Sequence, residues 1–281
     1  MSRRIPYHPT WEALFTPGVH PFFHDWLPRS DSALCAELSR LAYCPRDTIS
    51  EVLPRIGMSL GEVFSEADDN GTFGFLAHSE RHSVVVFRGT RPNDRQNVLD
   101  DVNFLPTTWT VGNKAVGRVH RGFAEAMRRV WPQVEAATAN LSKPTLVTGH
   151  SLGAALAILA ASRIACRRLI TIGAPRVGNA AFCEYVERRV EVVRVHGCCD
   201  MVCMVPPPPF ARHCGTRHYI DTHGRLHVQP KRSFLLADQA RAHLEYTTQH
   251  AGREGNLLTR ALSDHAPINY VLALHDSETA P

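Results

Sequence analysis

No apolar run in this 281-residue chain approaches the roughly 20 residues that a membrane-spanning helix needs, so no transmembrane segment is expected. Excess charge of one sign is also missing. Lys and Arg number 31 against 27 Asp and Glu, a formal net charge of +4. The basic residues are scattered rather than gathered into a stripe, which argues against nucleic acid as a partner. The first residues, Met-Ser-Arg-Arg-Ile-Pro-Tyr-His-Pro, carry two arginines with no apolar h-region behind them. A cytoplasmic location is therefore the expectation, with export by a signal-independent route left open. Internal repeats and low-complexity tracts are lacking too, apart from Pro206 to Pro209, which reads as a stiff loop.

What is present suits a sizeable core. With 44% hydrophobic and 21% charged residues, the chain most simply forms one α/β domain. The eight cysteines are not needed as staples at this size, and without an export signal a reducing compartment is expected. Cys35, Cys166 and Cys183 sit among apolar residues of predicted helices, where a thiol packs as a small hydrophobe. Residues 1–30 show no clean periodicity and read as an irregular arm; residues 31–281 form the domain.

Asp31 and Ser32 open a helix from Ala33 to Cys44, with Leu34, Leu38, Leu41 and Ala42 on one face. A short helix follows Asp47 and Thr48. Val63 to Glu66, Thr72 to Ala77 and Ser83 to Phe87 then alternate as strands divided by polar turns. Beyond them the order is helix Gly122 to Ala139, strand Thr145 to Thr148, helix Ser151 to Cys166, strand Leu169 to Ile172, helix Asn179 to Arg189 and strand Val190 to Val195. Strands alternating with helices of this length predict a mostly parallel central sheet with helices on both faces.

One motif carries chemistry. Gly149-His150-Ser151-Leu152-Gly153 follows an apolar strand and opens a helix of small residues, which sets the Ser151 hydroxyl on a tight strand-to-helix bend at the positive end of a helix. A serine hydroxyl becomes a useful nucleophile only when a base takes its proton, and that base needs an acid to orient it. In hydrolases built on such a sheet the order is serine, acid, histidine, each at the end of a later strand. Asp200 fits the acid, four residues past the second strand after the nucleophile. Among 16 histidines, His265 fits the base by its order and its place before a short C-terminal helix.

With these residues in place the chain resembles the class 3 lipases, the fungal-type triacylglycerol lipase group of the α/β-hydrolase fold. The likeness runs through Leu41-Ala42-Tyr43-Cys44, Val86-Phe87-Arg88-Gly89-Thr90, Val119-His120-Arg121-Gly122-Phe123, the serine motif, Gly173-Ala174-Pro175-Arg176-Val177-Gly178-Asn179, Asp200-Met201-Val202 and Asp264-His265. It implies Ser151, Asp200 and His265 as the catalytic residues. It also implies an oxyanion hole formed by the Leu152 N–H and by Thr90, with Asp101 steadying Thr90. Further, it implies a short lid with a side of Val98, Leu99, Val102 and Phe104. The chain departs from the family in having Val98 where many fungal members place a tryptophan at the lid hinge. Cys203 stands where a proline is usual.

The resemblance thus implies a serine carboxylic-ester hydrolase acting on acylglycerols and related lipid esters, in transient contact with a lipid interface and without a cofactor. A phospholipase A1, a feruloyl-type esterase or an acyltransferase on the same machinery remains open, as does a non-catalytic lipid-binding protein. The His- and Cys-rich run from Arg212 to His227 suits a β-hairpin turning at His223-Gly224, with Tyr219 and Leu226 packed. It lacks the paired ligand spacing of structural zinc, so no metal is expected.

Overall fold

The computed structural model describes residues 6–23, 27–66, 71–89, 105–209 and 211–279. Its centre is an eight-stranded sheet in the order β1-β2-β3-β6-β7-β8-β9-β10, with a separate β4-β5 hairpin. The strands are β1 (Ser59–Ser65), β2 (Phe73–His78), β3 (Ser83–Phe87), β6 (Thr145–His150), β7 (Arg168–Ile172), β8 (Glu191–Gly197), β9 (Thr216–Ile220) and β10 (Leu226–Val228). From β3 through β9 every neighbouring pair is parallel, while β1, β2 and β10 add antiparallel edges. The expected parallel sheet is therefore present. The expected hairpin between residues 212 and 227 is present as β9-β10, with Tyr219 fully buried.

Each face is covered because the strand side chains alternate between two apolar clusters. One cluster joins Val84, Val86, Ile170, Val193 and Val195 to α2 (Asp31–Leu41), α3 (Arg46–Val52) and the C-terminal helix α9 (Pro267–Thr279). The other joins Val85, Phe87, Val147 and Leu169 to α4 (Arg121–Thr138), α5 (Leu152–Ala161) and α6 (Ala180–Glu187). Burying each such aliphatic side chain contributes about 1.5–3 kcal/mol before chain entropy is subtracted. Helix α5 is apolar all round and is buried at every residue but Leu152, as a helix pressed between a sheet and another helix must be.

Several boundaries differ from the sequence reading. Helix α2 starts at Asp31 and is capped by Ser30, whose Oγ accepts from the Ala33 N–H at 3.2 Å. Helix α5 ends at Ala161, so Cys166 lies beyond it. Residues 106–120, to which the sequence reading assigned no element, form the hairpin β4 (Pro106–Val111) and β5 (Lys114–His120). Helix α7 (Arg232–Gln249) had no counterpart in the sequence reading.

The arm is more ordered than its composition suggests. It contains α1 (Trp11–Phe15), capped by Thr10, and places Ala13, Leu14, Phe22 and Phe23 in the core. Arg40 of α2 is fully buried and holds it there. Its guanidinium donates to the carbonyls of Pro17, His20 and Pro21 at 2.8–3.0 Å and to the Glu37 carboxylate at 2.7 Å. A Glu37 oxygen accepts the Phe23 N–H at 3.0 Å. All the polar atoms of this buried pair that face the arm are engaged, the condition under which a buried ion pair is tolerated. The arm also reaches α9 and the segment before it, since Tyr7 donates to Asp264 at 2.8 Å and the His8 N–H to Asn269 at 2.9 Å.

Candidate active site

Strand β6 delivers Ser151 to the carboxyl-terminal edge of the sheet, where open α/β folds build their sites. The turn from β6 into α5 is so tight that Ser151 takes φ 59° and ψ −128°, a left-sided conformation costly for a residue with a Cβ. Two flanking glycines make room for it. A Cβ at Gly149 would stand 2.3 Å from the Gly153 carbonyl oxygen, and one at Gly153 would stand 2.2 Å from that of Phe87. Both obstacles are backbone, so neither moves aside. The Ser151 N–H is held by the Ile172 carbonyl at 3.0 Å.

Ser151, His265 and Asp200 meet although they come from separate parts of the chain. Ser151 Oγ lies 2.9 Å from His265 Nε2, and His265 Nδ1 lies 2.8 Å from Asp200 Oδ2. Asp200 follows β8, and His265 stands between the short helix α8 (Arg260–Ser263) and α9. The carboxylate is fully buried and the imidazole nearly so, with 4% exposure. Since the ionised carboxylate only accepts, the proton of the neutral imidazole sits on Nδ1, leaving Nε2 to accept from the serine hydroxyl.

Burial alone would raise the Asp200 carboxyl, but His265 beside it and hydrogen bonds from His265 and Tyr270 outweigh burial and hold it below the ordinary carboxylate value. Tyr270 on α9 donates to Asp200 Oδ2 and accepts the Gly197 N–H at 3.0 Å. The other oxygen, Oδ1, accepts the Val202 N–H at 2.8 Å. Burial and the adjacent Asp200 charge push the Tyr270 phenol up, so it stays a donor.

His150 holds His265 from the opposite side. Its Nε2 donates to the His265 carbonyl at 3.0 Å, so its Nδ1 accepts from the Tyr43 hydroxyl at 2.8 Å. Tyr270, His150 and Tyr43 were not singled out by sequence reasoning. His150 and Tyr43 lie inside quoted motifs, whereas Tyr270 stands only five residues past His265.

Leu152 is the first residue of α5, so its N–H has no intrahelical acceptor and sits at the positive end of the helix dipole. Thr90, Asp101, Val98, Leu99, Val102 and Phe104 lie outside the described residues. Gly89, just before Thr90, packs on the nucleophile turn. A Cβ there would fall 2.8 Å from the His150 carbonyl oxygen and 3.2 Å from Ser151 Cβ.

One group of metal-type ligands comes together among the described residues. Cys198, Cys199 and Asp264 each bring one ligand atom within 4.8 Å of the others. Asp264 already accepts from Arg260 Nε at 2.6 Å, Tyr7 at 2.8 Å and the Cys199 N–H at 2.8 Å. The neighbouring Cys199 thiol and burial push the Cys198 thiol up. All eight cysteines are free thiols.

The fold is that of an α/β-hydrolase, with Ser151 on a tight strand-to-helix turn. The sequence model of the Lipase (class 3) family matches residues 84–210, a span that includes Ser151 and Asp200. A secreted mono- and diacylglycerol lipase of Fusarium solani is 30% identical over 216 residues, covering 71% of this chain and 63% of the relative. The solved propeptide complex of Rhizomucor miehei lipase matches with a TM-score of 0.57 at 26% identity, over 67% of this chain and 66% of that one. A solved triacylglycerol lipase, described as having a catalytic centre formed by a serine protease triad, matches with a TM-score of 0.57 at 26% identity over 66% and 77% of the two chains. By these matches the chain is similar to the class 3 lipases. It spans about half the length of several other fungal lipases that it matches.

These relatives correct one expectation. The Fusarium protein, and a Malassezia globosa protein 30% identical over 151 residues, are named as secreted, which overturns the cytoplasmic location drawn from the N-terminal residues.

Proposed function

We propose that the chain is a serine carboxylic-ester hydrolase that cleaves acylglycerols and related lipid esters through an acyl-enzyme. The observation that carries this reading is the unbroken line from Ser151 Oγ through His265 to Asp200, at 2.9 and 2.8 Å. His265 Nε2 takes the hydroxyl proton as Ser151 attacks the ester carbonyl, and the imidazolium that forms is stabilised by Asp200. The oxyanion is met by the Leu152 N–H and, in this proposal, by Thr90, each such donor contributing about 3 kcal/mol to transition-state stabilisation. His265 then protonates the departing alcohol, and water repeats the sequence on the acyl-enzyme. The Fusarium relative's name, mono- and diacylglycerol lipase, supports partial glycerides among the substrates.

A substrate series tests the proposal. The chain is expected to hydrolyse p-nitrophenyl esters from acetyl to palmitoyl and to release titratable fatty acid from emulsified mono- and diacylglycerols. Turnover of the acetyl ester without fatty acid from any acylglycerol would remove the lipid substrate, and no turnover at all would remove the hydrolase. If residues 90–104 carry the proposed lid, the rate rises where the substrate passes its solubility limit; a smooth saturation curve through that point rejects the lid.

A further inference from the structure

A cavity of about 390 Å³ lies between the β8-β9 strands and the start of α7. Arg176, Arg217, Arg232, His196 and His213 line it, and among the described residues no Asp or Glu does. Arg194 stands behind them, only 5% exposed. In the β8-β9 register Arg194 is the direct partner of Arg217, an adjacent like-charged pair of the kind that destabilises a sheet unless something offsets it.

The donors are not used up. Arg194 Nη1 lies 3.2 Å from His196 Nδ1. A guanidinium only donates, so His196 Nδ1 is an acceptor and the imidazole proton sits on Nε2. His196 is 6% exposed and lines the cavity, yet its Nε2 is buried without an acceptor among the described residues, as are Arg194 Nε and Arg217 Nε. An unpaired buried donor is left with the cost of its lost hydration. Burial, with Arg194 beside it, pushes His196 down to about 3, and burial lowers Arg194 to about 10. Helix α7 adds to the positive character. Lys231 is its N-cap with no side-chain cap bond, Arg232 is its first residue, and its first turn holds no acid. Cations there oppose the helix dipole.

From this arrangement we infer that the cavity is a binding site for a phosphate-type oxyanion, with His196 Nε2–H, Arg217 and Arg232 as its donors and Arg194 as the charge behind them. Arg176 contributes charge from the rim while its Nη1 donates to the Met204 and Pro206 carbonyls. A planar guanidinium fork matches phosphate oxygens, and a helix N-terminus favours the same charge. Met204 and Leu236, both more than half exposed, flank the donors, so a phosphate that bears an alkyl or acyl part also fits.

Calorimetric titration tests this without reference to ester turnover. The chain is titrated at constant ionic strength with inorganic phosphate, and separately with a dihexyl ether-linked glycerophosphate, which no esterase cleaves. Saturable binding is expected, with a shift of the His196 Nε2–H resonance and at least a tenfold loss of affinity in both Arg217→Gln and Arg232→Gln. Arg217→Lys should recover part of the loss. Circular dichroism verifies that each variant is folded. Tighter binding of the ether lipid, in competition with phosphate, identifies a lipid headgroup as the source; equal or stronger binding of inorganic phosphate identifies the free anion. Either result supports the site. No saturable binding of either probe, or affinity unchanged in both Gln variants, overturns it.

Discussion

Ser151→Ala is expected to lower p-nitrophenyl ester turnover by roughly four to six orders of magnitude while leaving the fold intact. The loss is large because the hydroxyl is the atom that bonds to the acyl carbon, and no other described nucleophile lies against His265 Nε2 in its place. What remains is what the Leu152 N–H and substrate binding give to attack by water. Stability should change little: among the described residues Ser151 Oγ is engaged only by His265, and Ala keeps the Cβ that the strained turn already accommodates. Steady-state kinetics with unfolding followed in urea reads both quantities. Turnover within tenfold of the parent would show that Ser151 is not the nucleophile.

Asp200→Asn carries the next largest effect, about 10⁴-fold in kcat, for a different reason. The two carboxylate oxygens are both committed as acceptors, Oδ1 to the Val202 N–H and Oδ2 to His265 and Tyr270. An Asn that keeps its oxygen on Val202 turns its NH₂ toward His265, donates to Nδ1 and forces the imidazole proton onto Nε2. That tautomer cannot accept from Ser151. The pH dependence has a definite sign. Because the Asp200 carboxyl is held below its ordinary value, its contribution to stability is fully present above the unfolded carboxylate pKa of about 4 and is lost as pH falls through the folded value. Urea unfolding of parent and variant at pH 6 and pH 3 should therefore show a stability gap that narrows at the lower pH. A gap that widens on acidification would contradict the assigned charge state.

Much of this architecture was legible in the chain because strong local patterns agreed with the global fold. Strands such as Ser83–Phe87 are continuous apolar runs, as buried parallel strands must be, and the small-residue helix after Ser151 follows from the close approach of Gly153 to Phe87. The elements that escaped have physical reasons. Helix α7 buries only Asp238, Ala242 and Tyr246 while Leu236 and Leu244 face solvent, so its apolar residues mark no inner face. Helix α1 is five residues long, too short for a periodicity. The β4-β5 hairpin is interrupted by a register shift at Trp109/Thr110 and is anchored by a distant contact, Trp109 Nε1 to Ser162 Oγ at 2.9 Å.

Within the site, order along the chain together with the family resemblance singled out Ser151, Asp200 and His265, which lie within hydrogen-bonding distance of one another. The residues that hold them were not legible. Tyr270 reaches Asp200 only because α9 brings its hydroxyl to the end of β8, and His150 reaches the His265 carbonyl only because β6 ends beside the turn between α8 and α9. The arginine pairing behind the cavity at the start of α7 likewise exists only once β8 and β9 are in register.

The most direct test of the central claim is covalent capture. A fluorophosphonate should react with the folded chain to one label per molecule, and peptide mass spectrometry should place it on Ser151, with labelling abolished in Ser151→Ala and slowed strongly in Asp200→Asn. A label on another residue, or a chain that stays unlabelled while correctly folded, would contradict an activated serine at this turn.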